Sequence, residues 1–401
     1  LKNIIKSVIL ISALMSTNIY AESTFYSKIK EMGYIEVKIA GEESNEVNES
    51  VAEGMFSKIS CGAMHCYGIR NNKLYVVGYN NKGQLGLGNN VNKSAWTYVN
   101  GMDNVSNVEA GDYFGYIVSN GELYGAGDND YGQLGRSQEG GNVTINNWVI
   151  IEGMSGVTEL AAGKSHSYAI KNGNLYSIGY NGYGQLGIGN KTPQSKWVVI
   201  PEMQGLSSVK SGDYSGYVIK SNKLYVVGHA ENGQLGLGVG LVAISQWIEV
   251  PNFSNVTQVS SGDFNSYIID SGKLYSTGHN AYGQLGLGDS VVRYIYTYVE
   301  GMDGVSKIKS GNYHTFTIND GKVYSAGYNV VGQLSRSGDT SIFKEVDNFN
   351  TPQYLVANGE MSFIIKDGRL YATGYNNYGQ LGIGNTENQA SFIEVDLSYL
   401  D

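Results

Sequence analysis

Basic residues, proline, cysteine and long apolar runs are all scarce in this chain. Of its 401 residues, 27 are Lys or Arg against 36 Asp or Glu, a net charge of −9. Neutralising a phosphate backbone needs a basic stripe, and none is present, so a nucleic-acid face is not expected and an anionic membrane surface would be repelled. With 4 prolines and 2 cysteines, the chain is neither collagen-like nor a disulfide scaffold. Apart from its first residues the chain has no apolar stretch that could span a bilayer. That exception runs from Val8 to Met15, follows Lys2 and Lys6, and leads through small and polar residues to Ala21. This is the pattern of a secretory signal, expected to span residues 1–21. No cysteine precedes Cys61, so nothing near the cleavage site could take a lipid. The expected product is a soluble, secreted or cell-envelope protein, with no membrane contact after cleavage.

Glycine and tyrosine, by contrast, are plentiful, at 55 and 32 residues, as suits an all-β protein with many tight turns. They are also periodic. Gly-Gln-Leu occurs seven times, with glutamines at 84, 133, 185, 234, 284, 333 and 380, in steps of 49, 52, 49, 50, 49 and 47 residues. Self-similarity at this spacing marks an array of supersecondary units. Upstream of each copy two short β-prone runs flank a pair suited to positive φ. These pairs are Asn71-Asn72, Asn120-Gly121, Asn172-Gly173, Ser221-Asn222, Ser271-Gly272, Asp320-Gly321 and Asp367-Gly368, the signal of a type I′ hairpin. Downstream each unit reaches one aromatic, Trp96, Trp148, Trp197, Trp247, Tyr296, Phe343 or Phe392, expected to begin a strand and pack between neighbouring units. About four strands per unit, seven times over, predict a seven-bladed β-propeller across residues 55–401.

Residues 22–54 are expected to hold an N-terminal strand and an acidic loop. Tyr34-Ile35-Glu36-Val37 nearly copies Phe392-Ile393-Glu394-Val395, which makes eight aromatic-led strands for seven turns. One terminus is thus expected to supply an extra strand that closes the ring. Cys61 and Cys66 permit a disulfide, with two buried thiols as the alternative.

Gly163-Lys164-Ser165-His166, the hairpin, and Gly374-Tyr375-Asn376-Asn377-Tyr378-Gly379-Gln380-Leu381-Gly382-Ile383-Gly384 together resemble the regulator of chromosome condensation repeat family. The resemblance covers residues 55 to 397 and implies a seven-bladed propeller whose repeated positions hold blades together. The chain departs from the pattern at the histidine, kept as His65, His166 and His314 but replaced by Phe114, Ser215, Asn265 and Met361. It departs also at Arg136-Ser137 and Arg336-Ser337, where the Gly-Leu/Ile-Gly ending is lost. Exported bacterial propellers of related repeats include inhibitors of β-lactamases, which this chain resembles in blade number, export and aromatic loops.

No catalytic set stands out. Three of the five histidines share one repeat position, which favours a hydrogen-bonding role over metal ligation, and Asp128-Asn129-Asp130 lacks a full calcium ligand set. Neither a metal nor a cofactor is expected. What remains is a set of variable loops, expected at one end of the blades. One class carries Asp112, Tyr113, Phe114, Asp213, Tyr214, Asp263, Phe264 and Tyr313, and the other carries Tyr180, Tyr328 and Tyr375 among its members. Aromatic side chains beside carboxylates suit protein recognition. The expected function is a non-enzymatic, monomeric, exported propeller that binds another protein, as an inhibitor of an enzyme such as a class A β-lactamase. A carbohydrate or cell-wall binder is the alternative and a hydrolase the third reading.

Overall fold

The computed structural model describes residues 54–135 and 144–400. The expected signal segment, the strand near Tyr34 and the acidic loop through Glu53 lie outside them. Seven four-stranded antiparallel sheets are built, each from strands consecutive in the chain. Blade 1 comprises Phe56–Cys61, His65–Arg70, Lys73–Gly78 and Lys93–Tyr98, and blades 2 to 7 span 105–150, 157–204, 206–249, 256–298, 305–345 and 354–394. First strands of neighbouring blades pack side by side around the whole ring, the seventh against the first included. The fold is the expected seven-bladed β-propeller.

Each blade is organised by the same local chemistry. At every hairpin the first turn residue sits at positive φ, from 48° at Asp320 to 52° at Asn120 and Ser271, and the second from 58° to 79°, as a type I′ turn demands. Each Gly-Gln-Leu glutamine accepts, through its side-chain oxygen, the N–H of the residue two before it. In blades 1 to 5 its backbone carbonyl accepts the hydroxyl of a fully buried tyrosine of the second strand: Tyr67, Tyr116, Tyr168, Tyr217 or Tyr267. Four residues before the glutamine an asparagine accepts the leucine N–H in six blades, and its amide holds the long loop that follows, as Asn80 does at Asn89 and Val91. Buried polar groups are thereby satisfied within the turn. Gly-Gln-Leu is scaffold.

The downstream aromatics join blades, as expected. Any side chain at Gly86, Gly187 or Gly382 would overlap Trp148, Trp247 or Trp96 of the following blade. In blade 6, Ser335 replaces this glycine at φ 52° and its hydroxyl accepts the N–H of Phe392. The departure at Arg336 also has a local reason: its guanidinium donates to the carbonyls of Ser325, Asp339 and Ile342, tying down a loop whose fourth strand, Lys344–Glu345, has two residues.

Each blade has four strands between Phe56 and Glu394, and the expected closing strand near Tyr34 lies outside the described residues. Phe392 lies in the fourth strand of blade 7, Gln389–Glu394, which pairs with Arg369–Gly374 of the same blade. Blades 7 and 1 meet through side-by-side packing. Gly384 donates to Ser94 at 2.8 Å, Tyr354 to Ile59 at 3.2 Å and the Asn358 amide to Cys61. One apolar cluster, with Trp96, Phe56, Met361 and Phe363, spans both blades. Cys61 and Cys66, directly opposed across two strands, form a disulfide beside Met361.

Candidate protein-binding face

Two loops per blade lie at one end of the ring because of strand register. His65 pairs with Gly78, so the tip before His65 and the loop after Gly78 emerge together. A backbone hydrogen bond then locks them: Tyr79 N–H donates to the Met64 carbonyl at 2.8 Å. The same bond recurs in the other six blades, as from Asp128 to Tyr113, Tyr180 to Ser165, His229 to Tyr214, Tyr328 to Tyr313 and Tyr375 to Glu360. A rigid rosette results.

Its innermost ring is formed by the tips, which converge on the axis. There the glycines of the tips, with Asp112, Asp213 and Asp263 of blades 2, 4 and 5, line a cavity of about 40 Å³. The three carboxyls act on one another. Burial, then the charge of Asp213, raises the pKa of Asp112 to about 7 against the opposing pull of Lys164. Burial, then Asp112, raises Asp263 to about 6, and burial with Asp263 raises Asp213 well above the carboxylate range. Asp213 and Asp263 line the same cavity, and the charge of each makes the other harder to ionise, which favours keeping a proton on one of them. Lys164, from blade 3, occupies the equivalent tip position. Its ammonium lies 4.0 Å from Asp213 and 5.4 Å from the centre of the Tyr214 ring. Burial works against its charge, but Asp213, Tyr214 and Asp112 more than offset this and raise its pKa.

Around this acidic centre runs an aromatic girdle. Tyr113, Tyr214, Phe264 and Tyr313 are half-buried at the tips. They meet the second loop class edge to face: Tyr79 and Tyr113 at 6.1 Å, Tyr180 and Tyr214 at 6.1 Å, His229 and Phe264 at 6.0 Å, His279 and Tyr313 at 6.1 Å. Tyr328 and Tyr375 are half-buried in the same loop class. Phe114 is different. It stands at the histidine position of the second strand, has no accessible surface and packs in the core with Tyr116 and Leu160. Its side chain points inward because the residue after a tip begins the strand's buried face, so it leaves the candidate surface.

A third position, immediately before Gly-Gln-Leu and within the variable stretch between Gly-Tyr-Asn and that turn, joins the face. Tyr378 reaches forward to Tyr79 at 4.7 Å, Tyr131 to Tyr180 at 4.9 Å, Tyr183 to His229 at 4.5 Å and Tyr282 to Tyr328 at 4.9 Å. Between blades 1 and 2 the same step is an ion pair, Lys82 with Asp128 at 3.1 Å and with Asp130 at 3.4 Å. Tyr131 and Tyr282 remain 47% and 44% exposed, the most accessible rings of the face. The signal that could have found them is their recurrence at one repeat position in four blades.

The residue five before each glutamine decides what the glutamine amide does. Asp128, His229 and His279 accept from Gln133, Gln234 and Gln284 at 2.9, 2.8 and 3.0 Å. Since each of these glutamines already uses its oxygen as an acceptor, its nitrogen donates to Nδ1, placing the histidine proton on Nε2. Where the position is Tyr79, Tyr180, Tyr328 or Tyr375, the amide nitrogens of Gln84, Gln185, Gln333 and Gln380 lack a partner within the protein. The shared-position histidines are internal: His166 and His314 bond Ser211 and Ser362 of the next blade through Nε2 at 3.0 and 2.9 Å. Among the described residues no group of three or more His, Cys, Asp or Glu could hold a metal ion.

The repeat itself is diagnostic. The model of the regulator of chromosome condensation (RCC1) repeat matches residues 71–118, 120–170, 172–216, 271–318 and 367–393, more than half of the chain. The chain belongs to the RCC1 repeat family. The RCC1 signal skips 217–270 and 319–366, yet the four-stranded sheets continue there. No match is found among curated protein sequences. Among solved structures, human WBSCR16 is similar at 20% identity and a TM-score of 0.72, over 82% of this chain and 94% of that one. Yeast RCC1 (Prp20), crystallised with Kap60, gives 16% and 0.74 over 91% and 90%. Prp20p from Saccharomyces cerevisiae, described with its binding to Gsp1p and histones, gives 18% and 0.64 over 75% and 80%. At these identities the likeness is one of fold.

Proposed function

We propose that this RCC1-repeat propeller is a non-enzymatic, monomeric binding protein that holds another protein on its aromatic and acidic face, and that it acts outside the cell as an inhibitor of an enzyme such as a class A β-lactamase. The observation that carries the reading is the backbone lock repeated in all seven blades. It presents half-buried tyrosines in fixed positions, so little conformational entropy is lost when a partner docks. Support for a protein partner comes from the family, since yeast RCC1 is bound by Kap60 and Prp20p binds Gsp1p and histones. Support for export comes from the signal-like residues 1–21 and from the Cys61–Cys66 disulfide, which suits an oxidising compartment.

The test is a quadruple Tyr113→Ala, Tyr214→Ala, Phe264→Ala, Tyr313→Ala variant, examined against purified class A β-lactamases and in pull-downs from culture supernatants. Loss of these anchors is expected to weaken binding by about 100-fold or more, with the fold retained by circular dichroism. Unchanged affinity would remove the site. Absence of inhibition across a β-lactamase panel would remove that target and leave the protein-binding claim.

A further inference from the structure

We propose that the mouth of the axial channel is a receptor for one cationic side chain of the bound protein, an ammonium or guanidinium held by the carboxylates of Asp112, Asp213 and Asp263. This deepens the protein-binding reading and rests on it.

Three observations converge on the mouth. The first is a charge imbalance, with three carboxyls lining one cavity and, among the described residues, Lys164 as the cation that acts on all three. Asp112, Asp213 and Asp263 oppose one another's ionisation, and a partner's cation would relieve that repulsion. The second is a set of buried polar atoms left waiting. Ser310 lines the same cavity, is 8% exposed, and its hydroxyl has no partner. Asn265, 1% exposed, stands beside the lining residue Gly262, and its Oδ1 has no partner either. Its Nδ2 already donates to the Asn312 carbonyl at 3.2 Å, so turning the amide over would not help. Unpartnered acceptors beside carboxylates call for a ligand rich in donors, which ammonium and guanidinium groups are. The third is Lys164 itself. Held between Asp213 and the Tyr214 ring, it shows within the protein how such a cation is received.

The surroundings favour an organic cation. Tyrosine rings flank the carboxyls, and the charge of Asp263 acts on Tyr313, so carboxylate and aromatic face act together. A cavity of about 40 Å³ has room for roughly two or three water molecules. It admits the head of a side chain and no backbone.

A cation needs the carboxyls ionised. The other titratable groups facing them are Lys164, Tyr113, Tyr214 and Tyr313, all with raised pKa values, so they keep their charge states between pH 5 and 8. The pH response therefore belongs to the aspartates. With Asp263 near 6 and Asp112 near 7, binding should strengthen as pH rises from 5 to 8 and should release protons.

The experiment titrates the intact protein with acetyl-arginine-amide, acetyl-lysine-amide and, as the neutral shape control, acetyl-citrulline-amide, following the backbone amides of Gly111, Gly212 and Gly262 by NMR. Saturable shifts are expected at pH 8 with a Kd on the order of 10 mM for the cations, none for citrulline, and an affinity at least about tenfold lower at pH 5. A Lys164→Met variant, freed of the internal cation, should bind about three- to tenfold more tightly, and an Asp213→Asn, Asp263→Asn double variant should not bind. Equal binding of citrulline, pH-independent affinity, or no shift up to about 50 mM would overturn the proposal, even if the aspartate variants fail to fold. If the quadruple aromatic variant loses its partner while arginine leaves these glycines unmoved, the protein-binding reading stands and this one falls.

Discussion

The seam between blades 7 and 1 and the seam between blades 3 and 4 are built on one plan and put to different uses. Both set an aromatic of one blade on a turn glycine of the blade before it, Trp96 on Gly382 and Trp247 on Gly187. At the closing seam the tips are Ala63-Met64 and Gly359-Glu360, and the extra contacts are structural: a shared apolar cluster that includes the blade 1 disulfide, and bonds from Tyr354 and Asn358 into the first strand of blade 1. At the other seam the extra contacts are charged. Lys210 lies 3.2 Å from Glu159 and Lys164 4.0 Å from Asp213. A ring whose ends are joined by no covalent link must spend one seam on closure, and the aspartate and lysine tips that line the axial cavity gather where the chain is already continuous.

Trp96→Ala tests this contrast hardest. Trp96 is 1% exposed within the closing cluster, and its loss should cost about 3–5 kcal/mol, read as a lower urea midpoint. Trp197, only partly buried, should cost clearly less when replaced by Ala. Equal costs would mean that the closing seam is like any other.

The pH dependence of stability separates the core from the axis. Burial lowers the pKa values of His65, His166 and His314 to about 3. Below about pH 6.5 the unfolded chain therefore takes up protons that the folded chain refuses. Their contribution is intact above pH 6.5 and is lost on acidification, by up to about 4 kcal/mol per pH unit for the three together. Asp112 has the opposite sign. Its folded pKa lies near 7, above the unfolded value, so its ionisation destabilises the fold at pH 8 and the penalty fades as pH falls. Asp112→Asn should thus stabilise at pH 8, by about 1–3 kcal/mol, and do little at pH 4. Denaturation midpoints of both proteins across this range check the sign; a variant less stable at pH 8 would contradict the axial cluster.

The smallest effect is expected at the far ends of the blades, where hairpins serve neither seam nor face. Gly121 has φ 79° and open space where a Cβ would stand, so Gly121→Ala should cost only the backbone strain, about 1 kcal/mol, with partner binding unchanged.

Much of this was legible in the chain. The repeat spacing implied seven blades, the turn pairs implied type I′ hairpins, and the tryptophans implied contacts between units, because each rests on a short-range rule applied seven times. The site was legible in part. Asp112, Asp213 and Asp263 could be named, but not their convergence, since they come from three blades and meet only at the axis. Phe114 was misplaced because a tip and the first residue of a strand are adjacent in sequence and point to opposite sides. Tyr131, Tyr183, Tyr282 and Tyr378 recur at one repeat position in the variable stretch before Gly-Gln-Leu, but only the folded ring shows that each touches the next blade.

The sequence alone determined the unit: its hairpin, its hydrogen-bonded turn and the number of copies, all set by local backbone preferences and periodicity. Tertiary structure decided which side chains share an environment. A carboxyl becomes hard to ionise, and a lysine is clasped between an aspartate and a tyrosine ring, only when closure of the ring brings distant tips together and excludes water from among them.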